Sequence, residues 1–426
     1  MSPQLTFENK TANFYGTSSE QPNSNFNVGQ AGLVSALNIG RGSGLTGLSV
    51  AYSYNRTNNF NQRTFISGNS QASSMSDYWA SLAGGYYTDE LEGNTPGGFM
   101  AYETWMIDTL SGSYTQYASV FSYYGEMDPA YGQRTERSID NGGFTGEHTI
   151  ALGANVGDKL YLGAGVGITT LLYTGHYSHT EIDVEDNVPD FVDFTYTDHF
   201  NATGSGWNFK FGAILKPIEM LRLGLSFTTP TLFRVRENYF SNLTSYFDGD
   251  TPLNTDDDGS YEVKMDMNSY SYRVTTPFRI NTGVAVQIGT LALISADYEY
   301  VDYKTAKLSH GADGYNFESE NEDLRSEVKS AANLRLGAEV RLGSVYFRGG
   351  LRHYGSTFRA GTLNEKSDYS GYSAGIGYRQ PGFFVDFSYS GLISSENYLM
   401  YPDAWLDPAE IVTHDNFITA TVGLKF

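Results

Sequence analysis

Apolar and polar residues alternate with a period of two along most of this chain, and short turns interrupt the alternation. In 332–342, Ala332, Leu334, Leu336, Ala338, Val340 and Leu342 share one face, and Arg335, Gly337, Glu339 and Arg341 share the other. Gly343-Ser344 turns the chain. Val345, Phe347, Gly349 and Leu351 then alternate with Arg348, Gly350 and Arg352. A two-residue period sends successive side chains to opposite sides of a sheet, so these are strands. The pattern recurs at 160–169, 221–228, 278–288, 372–389 and 418–426.

A soluble sandwich would also alternate. Three details favour a membrane barrel. Arg and Glu stand at mid-strand on the polar face, which a wet lumen tolerates. Tyr52, Tyr54, Tyr298, Tyr300, Tyr378 and Tyr389 fall near strand ends, as interfacial girdles do. Turns are short on one side and connections long on the other. Short turns fall near 40–44, 157–158, 217–219, 289, 343–344 and 381–382. Long connections fall near 16–24, 58–143, 174–203, 237–261, 307–328, 359–367 and 395–412. They predict an all-β transmembrane antiparallel barrel of about fourteen strands, with short periplasmic turns and long extracellular loops. The expected strands are 3–15, 25–38, 45–57, 144–156, 159–173, 204–216, 220–236, 262–288, 290–306, 329–342, 345–358, 368–380, 383–394 and 413–426. Residues 1–426 form one domain, and 58–143 is a large extracellular insertion. Within it, 75–82 (MSDYWASL) reads as a helix capped by Ser74 or Ser76. Segment 98–108 is ambiguous between helix and strand, and 131–140 extends the following strand. Segment 319–330 is a second expected helix.

Composition agrees once position is considered. The net charge of −21 argues against nucleic acid. The absence of Cys excludes thiolate metal sites and a Cys nucleophile. The mean hydropathy of −0.36 looks soluble, but a barrel presents only every second residue to lipid. No stretch is long and apolar enough for a transmembrane helix. The opening MSPQLTFENK lacks the basic and apolar regions of a signal peptide. This leaves a cytosolic chain, or one that begins after processing or truncation.

Several stretches resemble the FadL/TodX family of outer-membrane transporters for hydrophobic compounds, most of all its Bacteroidota branch. They are NFNVGQAGLVSALN at 25–38, SVAYSYNRTNNF at 49–60, KLYLGAGVGI at 159–168, TPFRINTGVAV at 276–286 and the closing NFITATVGLKF at 416–426. The resemblance covers nearly all the chain. It implies an outer-membrane location and passive, TonB-independent uptake of small hydrophobic molecules such as long-chain fatty acids. The family's hatch motif Asn-Pro-Ala-Gly-Leu is missing from this sequence, which suggests a truncated chain or a variant without a plug. No ligand residue is transferred from the family.

The candidate sites come from residue chemistry. Val422, Gly423, Leu424 and Phe426 read as the assembly signal of a terminal strand. The inner-face cations Lys210, Arg222, Arg279, Arg335, Arg341, Arg348 and Arg352 suit a carboxylate head group. Arg335, Arg341, Arg348 and Arg352 form the densest set. The competing reading is a network of charges paired with Asp297, Glu299, Glu339 and Asp386. In 100–124, Tyr102, Trp105 and Met106 could line an apolar entry groove, or pack a loop against the rim. Acidic clusters at 183–193, 248–258 and 318–323 read as solvated loops, although Asp256, Asp257 and Asp258 could hold Ca²⁺. No metal site or cofactor is expected. Ser373 matches G-x-S-x-G inside a strand and reads as a small lumen residue, not a nucleophile. His176 and His179 have metal-like spacing only on a helix.

The expected function is a non-enzymatic outer-membrane channel for hydrophobic small molecules in a Gram-negative bacterium. Its expected partners are outer-membrane lipid and lipopolysaccharide, a hydrophobic ligand and the barrel-assembly machinery, with no nucleic acid and a monomeric state. The alternatives are a structural barrel whose loops dock a partner protein, and a general porin.

Overall fold

The computed structural model describes residues 1–39, 44–122, 131–248 and 259–426. Part of the expected 40–44 turn, Tyr123 and Tyr124 of the aromatic segment, and the acidic residues Asp250, Asp256, Asp257 and Asp258 lie outside the described residues.

Fourteen antiparallel strands close into a barrel, the first pairing with the last. They are β1 (Ser2–Phe14), β2 (Thr17–Asn38), β3 (Leu45–Asn59), β4 (Arg134–Val156), β5 (Leu160–Ile182), β6 (Phe191–Ile218), β7 (Leu221–Thr228 and Leu232–Phe247), β8 (Asn268–Thr275 and Arg279–Ile288), β9 (Ala292–Asp302 and Lys307–Ser309), β10 (Ser330–Leu342), β11 (Val345–Tyr354), β12 (Tyr369–Arg379), β13 (Phe383–Tyr398) and β14 (Ala409–Leu424). Each strand pairs with its sequence neighbours, which satisfies the backbone without leaving an edge in lipid. Two further segments heighten the wall: Gln62–Asn69 continues β3 along β4, and Ser260–Lys264 pairs with the top of β7.

The alternation sorts side chains as the sequence predicts. On β5, Leu160, Leu162, Val166, Ile168 and Leu172 face outward, while Gly163, Gly165 and Gly167 face the lumen. Rising about 3.3 Å per residue at a tilt near 40°, the run from Leu160 to Leu172 spans roughly 30 Å, the thickness of a hydrocarbon core. Tyr52, Trp207, Tyr298, Tyr378 and Tyr389 stand exposed on the outer wall. The apolar belt and aromatic girdle fit a barrel embedded in an outer membrane.

The strands rise well above the belt, and here several expectations change. Segment 16–24 is not a loop. Tyr15 and Gly16 make a two-residue turn, both with positive φ, and Phe14 pairs with Thr17. That geometry suits the twist of a hairpin. Likewise β5 continues to Ile182 and β6 begins at Phe191, so the 174–203 connection shrinks to 183–190. β7 runs to Phe247, inside the expected 237–261 loop. The reason is common to all three. Above the belt both faces are polar, so the hydrophobic period vanishes while the hydrogen-bond ladder continues. The expected 217–219 turn sits at Glu219-Met220.

The insertion after β3 folds into α1 (Met75–Ala83), α2 (Leu91–Asn94), α3 (Pro96–Glu103) and a small hairpin, Ile107–Thr109 with Tyr117–Ser119. Ser74 caps α1 within a capping box closed by Asp77. Thr95 caps α3, with Pro96 at its first position. This settles segment 98–108 as helix followed by a short strand. The charged helix expected at 319–330 is α4 (Glu318–Glu327), and Ser330 already belongs to β10.

Candidate functional site: a capped lumen

The insertion forms a lid. Its buried apolar core joins Trp79, Met100, Met106, Ile107 and Phe121 to wall residues around the mouth: Phe14 on β1, Phe194 on β6, Leu243 on β7 and Ile411 on β14. β1 and β7 stand on opposite sides of a fourteen-strand ring, so this core spans the mouth. The periplasmic half contrasts with it. Val34 pairs with Ala51 on the lumen face and remains 68 % exposed.

Tyr102, Trp105 and Met106 belong to this lid. Met106 is fully buried, Tyr102 meets Tyr117 edge-on, and Trp105 meets Tyr261. The predicted arginines all face the lumen, and their chemistry diverges. Arg335 pairs with Glu299 at 3.1 Å, and Asn333 donates to the same oxygen at 2.7 Å. Arg348 bridges Glu339 and Asp386, each at 2.6 Å. Arg341 is exposed near the periplasmic turn and donates to the Gly343 carbonyl. Arg352 lies over Gly371 with Nε and Nη2 unpartnered. Two of the four are therefore members of a paired lumen network. Lys210 likewise pairs with Glu147 at 3.0 Å.

The polar cluster that sequence reasoning missed lies under the lid. His179 and Glu181 are completely buried on the lumen face of β5, and His179 Nε2 is 2.9 Å from Glu181 Oε1. Glu181 also accepts from Ser74 Oγ at 2.6 Å, from the Met75 amide at 2.8 Å and from Gln133 Nε2 at 3.3 Å. This carboxylate ties the start of α1 to the wall. Asp77 accepts from Tyr131 at 2.9 Å and from Ser119. Burial pushes the His179 imidazole below its ordinary pKa, against the pull of Glu181, and pushes the Asp77 carboxyl up. Arg137 pairs in register with His179. It is 7 % exposed, its Nε and Nη1 have no partner, and its guanidinium stands 5.8 Å from the Tyr177 ring centroid. Among the described residues it makes no ion pair; a buried cation left so is costly, so this position favours an anion. Residues 174–182 were expected as loop, and only recognising the continued ladder would have aligned Arg137 with His179.

His176 faces outward, away from His179. It meets His199 of β6, Nδ1 to Nδ1 at 3.2 Å. Among the described residues no group of three or more His, Asp or Glu is placed to hold a metal ion. Ser373 lies inside β12, paired with Ser390 and Gly350, as its strand context predicts.

The wall itself is interrupted. β7 breaks at Thr229-Pro230-Thr231 and β8 at Thr276-Pro277-Phe278, in register with each other. β9 inserts a helical turn at Tyr303–Thr305 beside them. Each proline removes a ladder donor. Hydroxyls fill in. The Thr231 amide donates to Thr276 Oγ1 at 2.9 Å, and the Phe209 amide donates to Thr229 Oγ1 at 2.9 Å.

No family model matches the chain, and no curated protein matches it. Solved structures do. A FadL homologue of Pseudomonas aeruginosa is 13 % identical with a TM-score of 0.54, over 99 % of this chain and 88 % of that one. The toluene transporter TodX of P. putida is 10 % identical with a TM-score of 0.53, over 100 % and 89 %. A TodX mutant described as a monoaromatic hydrocarbon channel is 10 % identical with a TM-score of 0.51, over 98 % and 89 %. At these identities the likeness is one of fold, and in fold this chain is a fourteen-stranded outer-membrane barrel with the architecture of the FadL and TodX channels.

Proposed function

We propose that the protein is a FadL/TodX-type channel that admits small hydrophobic molecules, long-chain fatty acids among them, by passive diffusion without TonB. The observation that carries this reading is the apolar lid over Arg137, a buried cation whose Nε and Nη1 have no partner among the described residues. A closed apolar roof disfavours free passage of polar solutes. An amphiphile with an anionic head would satisfy Arg137, with its tail among Tyr177, Tyr196 and Phe194. The triple interruption in β7, β8 and β9 offers such a molecule a sideways path through the wall, and the open periplasmic half offers a downward one. The terminal strand, with Val422 and Leu424 on its outer face and Phe426 beyond it, serves assembly into the membrane.

Reconstitution into liposomes tests the reading. Labelled fatty acid should enter faster than into empty liposomes, and labelled sugar should not. Hydrophobic uptake equal to that of empty liposomes would overturn it. Arg137→Gln should weaken fatty-acid binding about tenfold or more, the scale of one lost charge-assisted pair, while leaving toluene uptake unchanged.

A further inference from the structure

Three outward-facing cations of the upper wall are ion-paired. Arg63 meets Asp140 at 3.1 Å, Arg134 meets Glu136 at 3.1 Å, and Lys264 meets Glu262 at 2.9 Å. A group of four neighbouring cations is not. Arg234 and Arg236 on β7, Arg273 on β8 and Lys307 on β9 are all exposed, and none makes an ion pair among the described residues. Arg236 donates to Ser269 Oγ at 3.2 Å. Arg234 and Arg273 stand directly opposite each other in the ladder. Like charges in that position destabilise a sheet, so their juxtaposition calls for an anion between them. The nearest outward carboxylate on these strands, Asp302, lies below the break and pairs with none of them.

The height of the group identifies the anion. Leu232 pairs with Trp207 at the top of the apolar wall, and Arg234 pairs with Ser205 on the next outward rung. Trp207 is 48 % exposed, as a girdle residue at the membrane surface is. Arg234 and Arg273 therefore sit at the level of lipid head groups. The long connections leave the barrel on this side, so the leaflet is the outer one. The chain carries a net −21, which makes an unpaired basic patch here the more unusual.

We propose that Arg234, Arg236, Arg273 and Lys307 form a docking site for the phosphates of an outer-leaflet glycolipid of the lipid A type. Guanidinium groups match phosphate oxygens with paired hydrogen bonds, and cations near a membrane surface attract anionic head groups. The site borders the interruption in β7, β8 and β9 from above, so the bound lipid stands beside the gap in the wall. This assignment rests on the barrel's orientation and not on what the lumen carries, so the uptake assay and the lipid assay fail independently.

The test uses the full chain in detergent micelles with EDTA present, and bisphosphorylated lipid A as the probe. Wild type should bind it, shown by a rise in the unfolding temperature and a change in tryptophan emission. The double variant Arg234→Ser/Arg273→Ser should bind about tenfold or more weakly. Arg63→Ser, on a paired cation elsewhere on the wall, should bind as wild type does. The sign of the stability change is the sharper readout. Without lipid, the double variant should be at least as stable as wild type, because a repulsion is gone. With lipid A it should be less stable. Should that variant not fold, Arg234→Lys/Arg273→Lys keeps the charge and should keep most of the binding. Dephosphorylated lipid A should not bind, and equimolar inorganic phosphate should not displace lipid A. Equal binding by the serine variant, or displacement by inorganic phosphate, would overturn the proposal.

Discussion

At the seam between lid and wall, burial shifts two side chains in opposite directions, His179 on the wall and Asp77 on the lid. Burial depresses the His179 pKa, whereas in an opened lid the imidazole would titrate near its ordinary value of about 6.5. A group whose pKa is depressed in the closed form binds its proton only on opening. Its contribution to closure is therefore present above that pKa and is lost as pH falls below it. Asp77 acts in the opposite sense, because its raised pKa favours proton uptake by the closed form above the ordinary carboxyl value. His179→Gln isolates the histidine contribution. Limited proteolysis of the lid should show wild type losing protection relative to this variant as pH falls from about 7 to about 5. A pH-independent difference would count against the assignment. Gly167 is a second sensitive point. A β-carbon there would lie 2.6 Å from Asn208 Oδ1 and 2.7 Å from Glu147 Oε2. Gly167→Ala should cost about 1–3 kcal/mol in chemical unfolding, the usual range for overpacking.

Among the elements, β7 and β8 are interrupted at the same height, and hydroxyls replace part of the lost ladder. Thr276 Oγ1 stands in for a ladder acceptor facing the Thr231 amide. Thr276→Val should leave that amide unpaired in the wall and cost about 1–3 kcal/mol, measured by unfolding in detergent. Replacing both prolines, Pro230→Val with Pro277→Val, returns two donors to the ladder. The expected result is a more stable barrel with slower hydrophobic uptake; unchanged uptake would remove the sideways path from the mechanism. The same elements show why strand ends are hard to read. β6 runs 28 residues, but only its membrane half alternates. Above the belt, polar residues on both faces hide a ladder that continues unbroken.

For the whole molecule, lid and lumen act together. Deleting residues 71–122 should raise single-channel conductance well above the full chain, because the core that bridges β1 and β7 would be gone. Unchanged conductance would place the constriction lower in the lumen. The architecture was legible from local pattern. A period of two, short turns against long connections and an even strand number predict a closed barrel, since lipid permits no unpaired edge. The inward placement of Arg335, Arg341, Arg348 and Arg352 was legible for the same reason. Their pairing was not. Whether Arg348 meets Glu339 and Asp386 or a ligand depends on register across four strands, β10 to β13. The lid core, the alignment of Arg137 with His179 and Glu181, and the facing of Arg234 with Arg273 likewise join residues distant in sequence. The strands, their faces and the membrane-spanning belt are written in the local pattern, because they follow from side-chain period and solvent. Tertiary structure alone decided which charges are satisfied and which are left waiting, because burial and neighbours exist only once the sheet has closed.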